Sequence, residues 1–381
     1  MRLLIVVFLF IVTSFFVIGC EQEKPSYQWS LREGFPKPQV PENNPMTEAK
    51  VELGRWLFYD KSLSANKTQS CASCHIQSRA FADLKQNSLG STGDIIKRNS
   101  PALVNIAYNQ TLTWAHPGIN NIEQQLLIPM FNESPTELGI TGHEQEVLKR
   151  FDNEHYENLF NLAFGSSEAS FNRINQAIAS FVRSLISLNS PFDRYAYDND
   201  DSALSESALR GLELFFSERL ECHHCHGGFN FTQSTLHEKQ LLDRQPFHNT
   251  GLYNLSDQGA YPATDQGLFD VTGKQEDRGK FRAPTLRNIA LTAPYMHDGT
   301  LETLEQVIDF YAAGGRNISS GPYQGDGRIN PNKSQFVKGF ELTEDDKKDL
   351  LNFLHSLTDD YFINNPQHQN PFQKPTATSE H

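Results

Sequence analysis

Two short motifs constrain what this chain can fold into more than any other feature. Each has the pattern Cys-x-x-Cys-His, with "CASCH" at residues 71–75 and "CHHCH" at residues 222–226, and together they contain four of the chain's five cysteines. Zinc sites and redox dithiols also use Cys-x-x-Cys, but neither requires a histidine directly after the second cysteine in both copies. The full pattern is the attachment signature of c-type haem, so the sequence predicts two covalently bound haem c groups.

In such a motif both sulfurs bond the porphyrin, and the adjacent histidine is the proximal ligand of the iron. The predicted covalent and axial residues are Cys71, Cys74 and His75 for the first haem, and Cys222, Cys225 and His226 for the second. His223 and His224 lie inside the second motif, where we expect them to be polar groups at the haem edge.

The N-terminus predicts export. Residues 1–19 contain one basic residue and a long apolar run, the pattern of a secretory signal peptide. The run ends in Gly19-Cys20, which resembles a lipobox, so we predict that Cys20 is lipidated; the alternative is an uncleaved anchor with an incidental cysteine. Glu21 follows, which resembles the sorting pattern for the outer membrane. We therefore expect a protein on the periplasmic side, lipid-anchored in the outer membrane.

The segment after the predicted signal peptide and the net charge of the chain give two further expectations. Residues 20–45 are polar and proline-rich, which predicts a flexible tether. The chain has 33 basic and 46 acidic residues, a formal net charge of −13. This charge argues against nucleic-acid binding and suits a basic partner protein.

The chain also contains an internal repeat. "LGRWLFYDKSLSANKTQSCASCH" (53–75) resembles "GLELFFSERLECHHCH" (211–226), and the stretch 98–129 resembles 282–311. Apolar residues recur at helical spacing downstream of both motifs. The sequence thus predicts a mostly α fold with two cytochrome c-like haem modules related by internal duplication. The predicted bounds are 46–190 for the N-terminal module, 191–362 for the C-terminal module and 363–381 for a disordered tail.

The repeat also distinguishes the two haems. "IEQQLLIP" (122–129) aligns with "LEQVIDFY" (304–311), so Pro129 falls opposite Tyr311. Proline has no side-chain donor for iron, whereas a tyrosine phenolate can ligate ferric iron. We therefore expect an open first haem that can bind peroxide, and a second haem closed by Tyr311. Two alternatives stay open: Tyr311 as an ordinary core residue of a helix, and Met296 as the sixth ligand.

Several motifs together resemble the bacterial di-haem cytochrome c peroxidases and their relative MauG, over roughly residues 45–360. They are "ELGRWLFYD", "SCASCH", "RNSPALVN", "SPFDRY", "CHHCHGGFNF", "FRAPTLRNIALTAPYMHDG" and "LEQVIDFYAAGG". The resemblance implies two haem c groups, hydrogen peroxide as oxidant, and electrons from an external protein, a small cytochrome or a cupredoxin. It also implies a calcium ion between the modules, held by an asparagine side chain and two backbone carbonyls that match Asn99, Thr292 and Pro294.

The same resemblance assigns residues around the first haem. The family has a tryptophan between the haems, which matches Trp114, and a glutamine in the peroxide pocket, which matches Gln124. Its acid-base glutamate matches Glu137 best, with Glu133 as the alternative. Such a carboxylate moves a proton between the two peroxide oxygens as their bond breaks.

Two departures from the peroxidase pattern favour the MauG branch, which includes MbnH-type enzymes. Tyr311 stands where the peroxidases usually have methionine, and Ser91 stands where many have a switchable histidine. We expect a peroxidase that draws electrons through the second haem. The alternatives are an enzyme that oxidises a tryptophan of a partner protein through a high-valent state shared by both haems, and a non-enzymatic di-haem electron carrier.

Overall fold

A computed structural model describes residues 27–237 and 247–373. Within these ranges the chain is mostly helical, which confirms the predicted fold class, with two small two-stranded sheets. The predictions for the signal peptide, for Cys20 and for the chain beyond residue 373 lie outside the described residues. In the described part, no helix combines the length and the apolar character needed to cross a membrane.

The α-helices of the described residues are α1 (Glu48–Tyr59), α2 (Ile122–Phe131), α3 (Glu144–Lys149), α4 (Glu154–Phe164), α5 (Phe171–Arg183), α6 (Pro191–Asp198), α7 (Glu206–Phe215), α8 (His223–His226), α9 (Phe269–Thr272), α10 (Leu304–Ala312), α11 (Glu344–His355) and α12 (Asp360–Asn364). The strands form two antiparallel pairs, β1 (Phe247–His248) with β2 (Phe281–Arg282), and β3 (Asn317–Ile318) with β4 (Gly325–Asp326).

Each module is built on one close helix pair. In the first module α1 packs on α5, and a Cβ atom at Gly54 would lie 1.9 Å from the carbonyl oxygen of Ala177. In the second module α7 packs on α11, and a Cβ atom at Gly211 would lie 2.0 Å from the carbonyl oxygen of Asp349. Only glycine permits backbones to approach so closely. Both contacts lie beside the buried apolar cores of their modules.

A second parallel lies in the downstream repeat. Asn105 in "VNIA" and Asn288 in "RNIA" each precede a short 3-10 helix, with φ angles of 54° and 60°. Asparagine tolerates this left-handed conformation better than most residues. These likenesses agree with an internal duplication, which stays a prediction.

The tether prediction is wrong for residues 27–45, which pack against the body of the protein. The Arg32 side chain donates to the carbonyl of Leu188 at 2.6 Å. The Tyr108 hydroxyl donates to the carbonyl of Pro36 at 2.7 Å, and Asn44 is fully buried. Polar, proline-rich composition does not distinguish a free linker from an extended segment whose carbonyls accept hydrogen bonds from distant side chains.

The tail prediction is wrong for residues 363–373. Helix α12 crosses back to the first module, where Phe362 is buried in the N-terminal core. Beyond it, the carbonyl of His368 accepts a hydrogen bond from the Tyr59 hydroxyl at 2.7 Å, and that of Gln369 accepts one from Arg55 at 2.9 Å. Residues 362–373 therefore belong to the first module in space, although they follow the second in sequence.

Candidate functional site

The second Cys-x-x-Cys-His motif forms one wall of a mostly apolar cavity. Cys222 and Cys225 are free thiols on this wall, and burial raises the pKa of each to about 12. His226 lies beside them, with its Nδ1 atom 3.2 Å from the carbonyl oxygen of Phe231 and 3.1 Å from that of Pro284. These carbonyls hold Nδ1–H, which leaves Nε2 as the ligand atom. Two neighbouring cysteine sulfurs and an oriented imidazole on an apolar cavity are a donor set that fits haem c.

The first motif repeats this arrangement. Cys71 and Cys74 are free thiols, and burial raises the pKa of Cys71 to about 12. The Nδ1 atom of His75 lies 2.7 Å from the carbonyl oxygen of Phe81. Burial also lowers the pKa of His75, so its imidazole is neutral, which is the form that binds iron. The residues of this motif therefore fit a second haem c.

Both proximal histidines are held by the same kind of left-handed turn. Phe81 and Phe231 have positive φ angles of 61° and 48°, and each presents its carbonyl to the histidine of its own motif. The left-handed turn reverses the chain just after the motif and aims the carbonyl back at the imidazole. A phenylalanine rarely adopts this conformation, so the strain is placed where it orients an iron ligand.

Tyr311 faces the same cavity as the second motif. Burial raises the pKa of its phenol, and the nearby Cys225 and Cys222 raise it further, which reflects their proximity. Met296 also lines this cavity. The structure thus brings both candidates for the sixth ligand of the second haem to the cavity that contains His226.

Glu137 lies close to the first attachment motif. Burial raises the pKa of its carboxyl to about 7, and its charge contributes to the raised pKa values of Cys71 and Cys74. Glu133, the alternative, is exposed. Of these two carboxylates, Glu137 is half-buried and influences the haem-attachment cysteines, whereas Glu133 is exposed.

The glutamine assignment needs a correction. Gln124 follows the N-cap Asn121 of α2 and its side chain is exposed, so it does not line a buried pocket. The next residue, Gln125, is half-buried, and its Oε1 atom is enclosed without a hydrogen-bond partner. Successive residues of an α-helix point about 100° apart, so a shift of one position exchanges solvent for interior. The orphaned oxygen of Gln125 was not identified from the sequence.

Trp114, the tryptophan expected between the haems, lies where residues of both modules meet. It lines the cavity of the second motif and a smaller neighbouring cavity, and its indole nitrogen donates to the carbonyl of Asn99 at 2.8 Å. The guanidinium of Arg282 lies 6.0 Å from its ring. Asn99, Thr292 and Pro294, the predicted calcium ligands, line the same smaller cavity. Their side-chain and carbonyl oxygens are the ligand type that calcium prefers.

Arg282 was quoted within a motif but received no role from the sequence. It is buried in β2, lines both cavities, and donates from Nε to the carbonyl of Thr113 at 3.1 Å. Burial lowers its pKa to about 10, and no carboxylate of the described residues contributes to this shift. A buried guanidinium of this kind fits an anionic group such as a haem propionate.

Two Cys-x-x-Cys-His motifs, each in its own helical module, define a di-haem c-type protein. Comparison with known proteins specifies the class. Residues 48–202 match the sequence model of the family described as "Di-haem cytochrome c peroxidase". The chain is 34% identical over 341 residues to cytochrome-c peroxidase IdrP1 of Pseudomonas sp. strain SCT, covering 85% of this chain and 84% of that protein.

Two further relatives extend the comparison. Methylamine utilization protein MauG of Methylorubrum extorquens strain AM1 is 32% identical over 333 residues, covering 86% of this chain and 84% of that one. A solved structure described as a MauG-like protein associated with microbial copper homeostasis is 46% identical, with a TM-score of 0.89, and covers 91% of this chain and all of that one. The chain belongs to the di-haem cytochrome c peroxidase family. It is an oxidoreductase that acts on peroxide and carries two haem c groups.

Proposed function

We propose that this enzyme reduces hydrogen peroxide at the first haem and takes the electrons from an external protein through the second. Each peroxide accepts two electrons and two protons and yields two water molecules. The iron held by His75 supplies the electrophilic centre for this reaction when the haem is bound. The remaining chemistry belongs to side chains of this chain.

The proposal rests on the position and the raised pKa of Glu137. A carboxyl group with a pKa near 7, beside the attachment cysteines of the first haem, can accept a proton from the attacking peroxide oxygen and return it to the leaving oxygen. Gln125, whose enclosed Oε1 has no partner, can orient the peroxide by accepting a hydrogen bond from it. Pro129, in the same helix as Gln125, has no side-chain donor to close the iron.

The second site has the opposite character. Tyr311 in α10 and His226 line one cavity, so both residues would hold the second haem when it is bound. With both residues as ligands, that haem would supply electron transfer rather than a peroxide-binding site. Trp114 lies in the wall of this cavity. Its indole ring is an aromatic group through which electrons can pass towards the first module.

The electron paramagnetic resonance spectrum of the oxidised protein tests this assignment. One high-spin and one low-spin ferric haem are expected. Replacing Tyr311 by Phe should convert the low-spin signal to high-spin, whereas replacing Met296 by Leu should leave it unchanged. Two low-spin signals in the unaltered protein would contradict an open first haem. Conversion by the Met296 variant alone would assign the sixth ligand to methionine.

A second candidate is oxidation of a residue of a partner protein, and two observations support it. Tyr311 stands where the peroxidase pattern has methionine, and the solved relative at 46% identity is described as MauG-like. Peroxide consumption with reduced cytochrome c or a reduced cupredoxin distinguishes the two functions. Rapid turnover with either donor supports the peroxidase. Slow turnover with both, together with peroxide-dependent oxidation of tryptophan in a protein substrate, supports the alternative.

Two finer features complete the proposal. We infer that Asn99, Thr292 and Pro294 hold a calcium ion between the modules. Chelation of the purified enzyme tests this site through loss of activity and its recovery on adding calcium back.

We also infer that Cys20 carries the lipid of an outer-membrane anchor on the periplasmic side. Labelling with a radioactive fatty acid should mark the unaltered protein and fail to mark the Cys20→Ser variant.

A further inference from the structure

Three metal-ligating side chains meet on the surface beside the second haem motif. Glu218, His223 and His224 each offer one ligand atom, and these atoms lie within 4.8 Å of one another. The Nε2 atom of His223 lies 3.7 Å from one carboxylate oxygen of Glu218, and that of His224 lies 3.8 Å from the other. Two atoms bound to one metal at about 2.0–2.2 Å are at most about 4.4 Å apart, so these two imidazole–carboxylate separations need little adjustment.

The two imidazoles are held in place by aromatic contacts. Their ring centroids are 4.2 Å apart, and His224 also stacks on Phe336 at 4.1 Å with an interplanar angle of 16°. His223 stacks on the ring of Phe216 at 6.1 Å. The Glu218 side chain is 82% exposed and is free to close over an ion. A rigid pair of imidazoles with one mobile carboxylate is a suitable arrangement for capturing a metal from solution.

A second carboxylate adjoins the cluster. One oxygen of Glu221 lies 2.6 Å from Nε2 of His224, and the other accepts a hydrogen bond from Lys338 at 2.7 Å. The lysine fixes this carboxylate, so once a metal replaces the proton on Nε2 of His224 the carboxylate can shift to a fourth ligand position or bind a metal-coordinated water. Two imidazoles with one or two carboxylates suit zinc and copper, whereas calcium and magnesium prefer oxygen ligands alone.

We propose that Glu218, His223 and His224 bind one Cu²⁺ or Zn²⁺ ion beside the second haem. His224 directly precedes Cys225, a covalent attachment residue, and lies two residues before the proximal ligand His226. A divalent cation at this place adds positive charge next to the electron-transfer haem. Positive charge favours the reduced iron, so metal binding raises the reduction potential of this haem and couples electron entry to metal supply.

Calorimetric titration of the haem-loaded protein with ZnCl₂ and with CuSO₄ tests the site. One equivalent of at least one ion is expected to bind. Glu218→Gln and the double variant His223→Ala/His224→Ala should each weaken it by at least about tenfold, the scale on which even outer-shell changes act. His143→Ala is the matched control, since His143 is an exposed histidine far from the second haem motif in sequence, with Glu146 at 3.9 Å. It should bind as the unaltered protein does.

Further readouts keep the test independent of folding and haem attachment. Glu218 lies outside the attachment motif, and haem content by absorbance must match the unaltered protein in every variant compared. The copper-loaded protein should show hyperfine coupling to two nitrogens, and the potential of the second haem should rise on metal addition except in Glu218→Gln. Binding of one ion alone identifies the metal. Equal affinity in the unaltered protein and Glu218→Gln, or absence of binding by both ions, overturns the proposal.

Discussion

At the scale of single residues, the ionisation of Glu137 controls the proposed reaction. Its ordinary pKa is 4.5, and burial raises it to about 7, so the carboxyl group is protonated in the folded protein at mildly acidic pH. Only the deprotonated form can accept a proton from peroxide. The first step is therefore expected to fail as the pH falls through about 7.

This gives a kinetic prediction. For the unaltered enzyme, kcat/KM for peroxide should fall as the pH decreases through about 7. Glu137→Gln should lower kcat/KM by about 10²–10⁴-fold and abolish this acidic limb, because a general base contributes on that scale. Glu133→Gln, at an exposed site, is the control and should leave both unchanged. An acidic limb that persists in Glu137→Gln would assign it to another group.

The neighbouring glutamines of α2 provide a second residue-scale test. Gln125→Leu should lower kcat/KM for peroxide by about tenfold, the equivalent of one hydrogen bond in the transition state. Gln124→Leu, one position away and exposed, should have no effect. Stopped-flow rates of peroxide consumption measure both variants. Sensitivity at Gln124 with none at Gln125 would restore the assignment made from the sequence.

At the scale of secondary-structure elements, the helices of each module approach one another closely. The contact between α7 and α11 depends on Gly211, where an added Cβ would lie 2.0 Å from a backbone oxygen. Gly211→Ala should therefore destabilise the second module by about 1–3 kcal/mol through overpacking. Glu213→Ala, on the exposed side of the same helix, should change stability little. Thermal unfolding followed at the haem absorbance would reveal the difference, and equal melting temperatures would argue against the close contact.

The C-terminal helix α12 gives a matched pair of adjacent residues. Phe362 is 1% exposed and lies 5.9 Å from the ring of Phe81, whose carbonyl holds His75, whereas Tyr361 is 66% exposed. Phe362→Ala should cost about 3–5 kcal/mol and loosen the first haem before the second. Tyr361→Ala should be nearly neutral. Chemical denaturation monitored by the spectra of the two haems separates these outcomes.

At the scale of the whole molecule the net charge of −13 predicts how the rate with a donor protein depends on salt. A basic electron donor is attracted over a range of about 10 Å at 0.1 M salt, and added salt screens this attraction. With a basic cytochrome as donor, kcat/KM should therefore fall as ionic strength rises, whereas an acidic cupredoxin should show the reverse. A rate with the basic donor that does not depend on salt would exclude long-range steering.

The sequence by itself determined the haem chemistry, because a Cys-x-x-Cys-His motif brings both thiols and the imidazole together through covalent neighbours alone. It also determined the mostly helical class, since helical periodicity is local. It assigned Glu137 and Trp114 only by resemblance, and their roles stay predictions; the structure shows the raised pKa of Glu137 and the place of Trp114 in the cavity wall.

Only the tertiary structure decided which face of a helix meets the pocket. Gln124 and Gln125 are chemically identical, and the packing of α2 alone turns one outward and the other inward. It also decided that residues 27–45 and 363–373 belong to the packed body, because their partners, such as Leu188 and Tyr59, lie far away along the chain. The tertiary structure also decided that Arg282 lines both cavities. Contacts between distant residues depend on the completed fold, and no local pattern contains them.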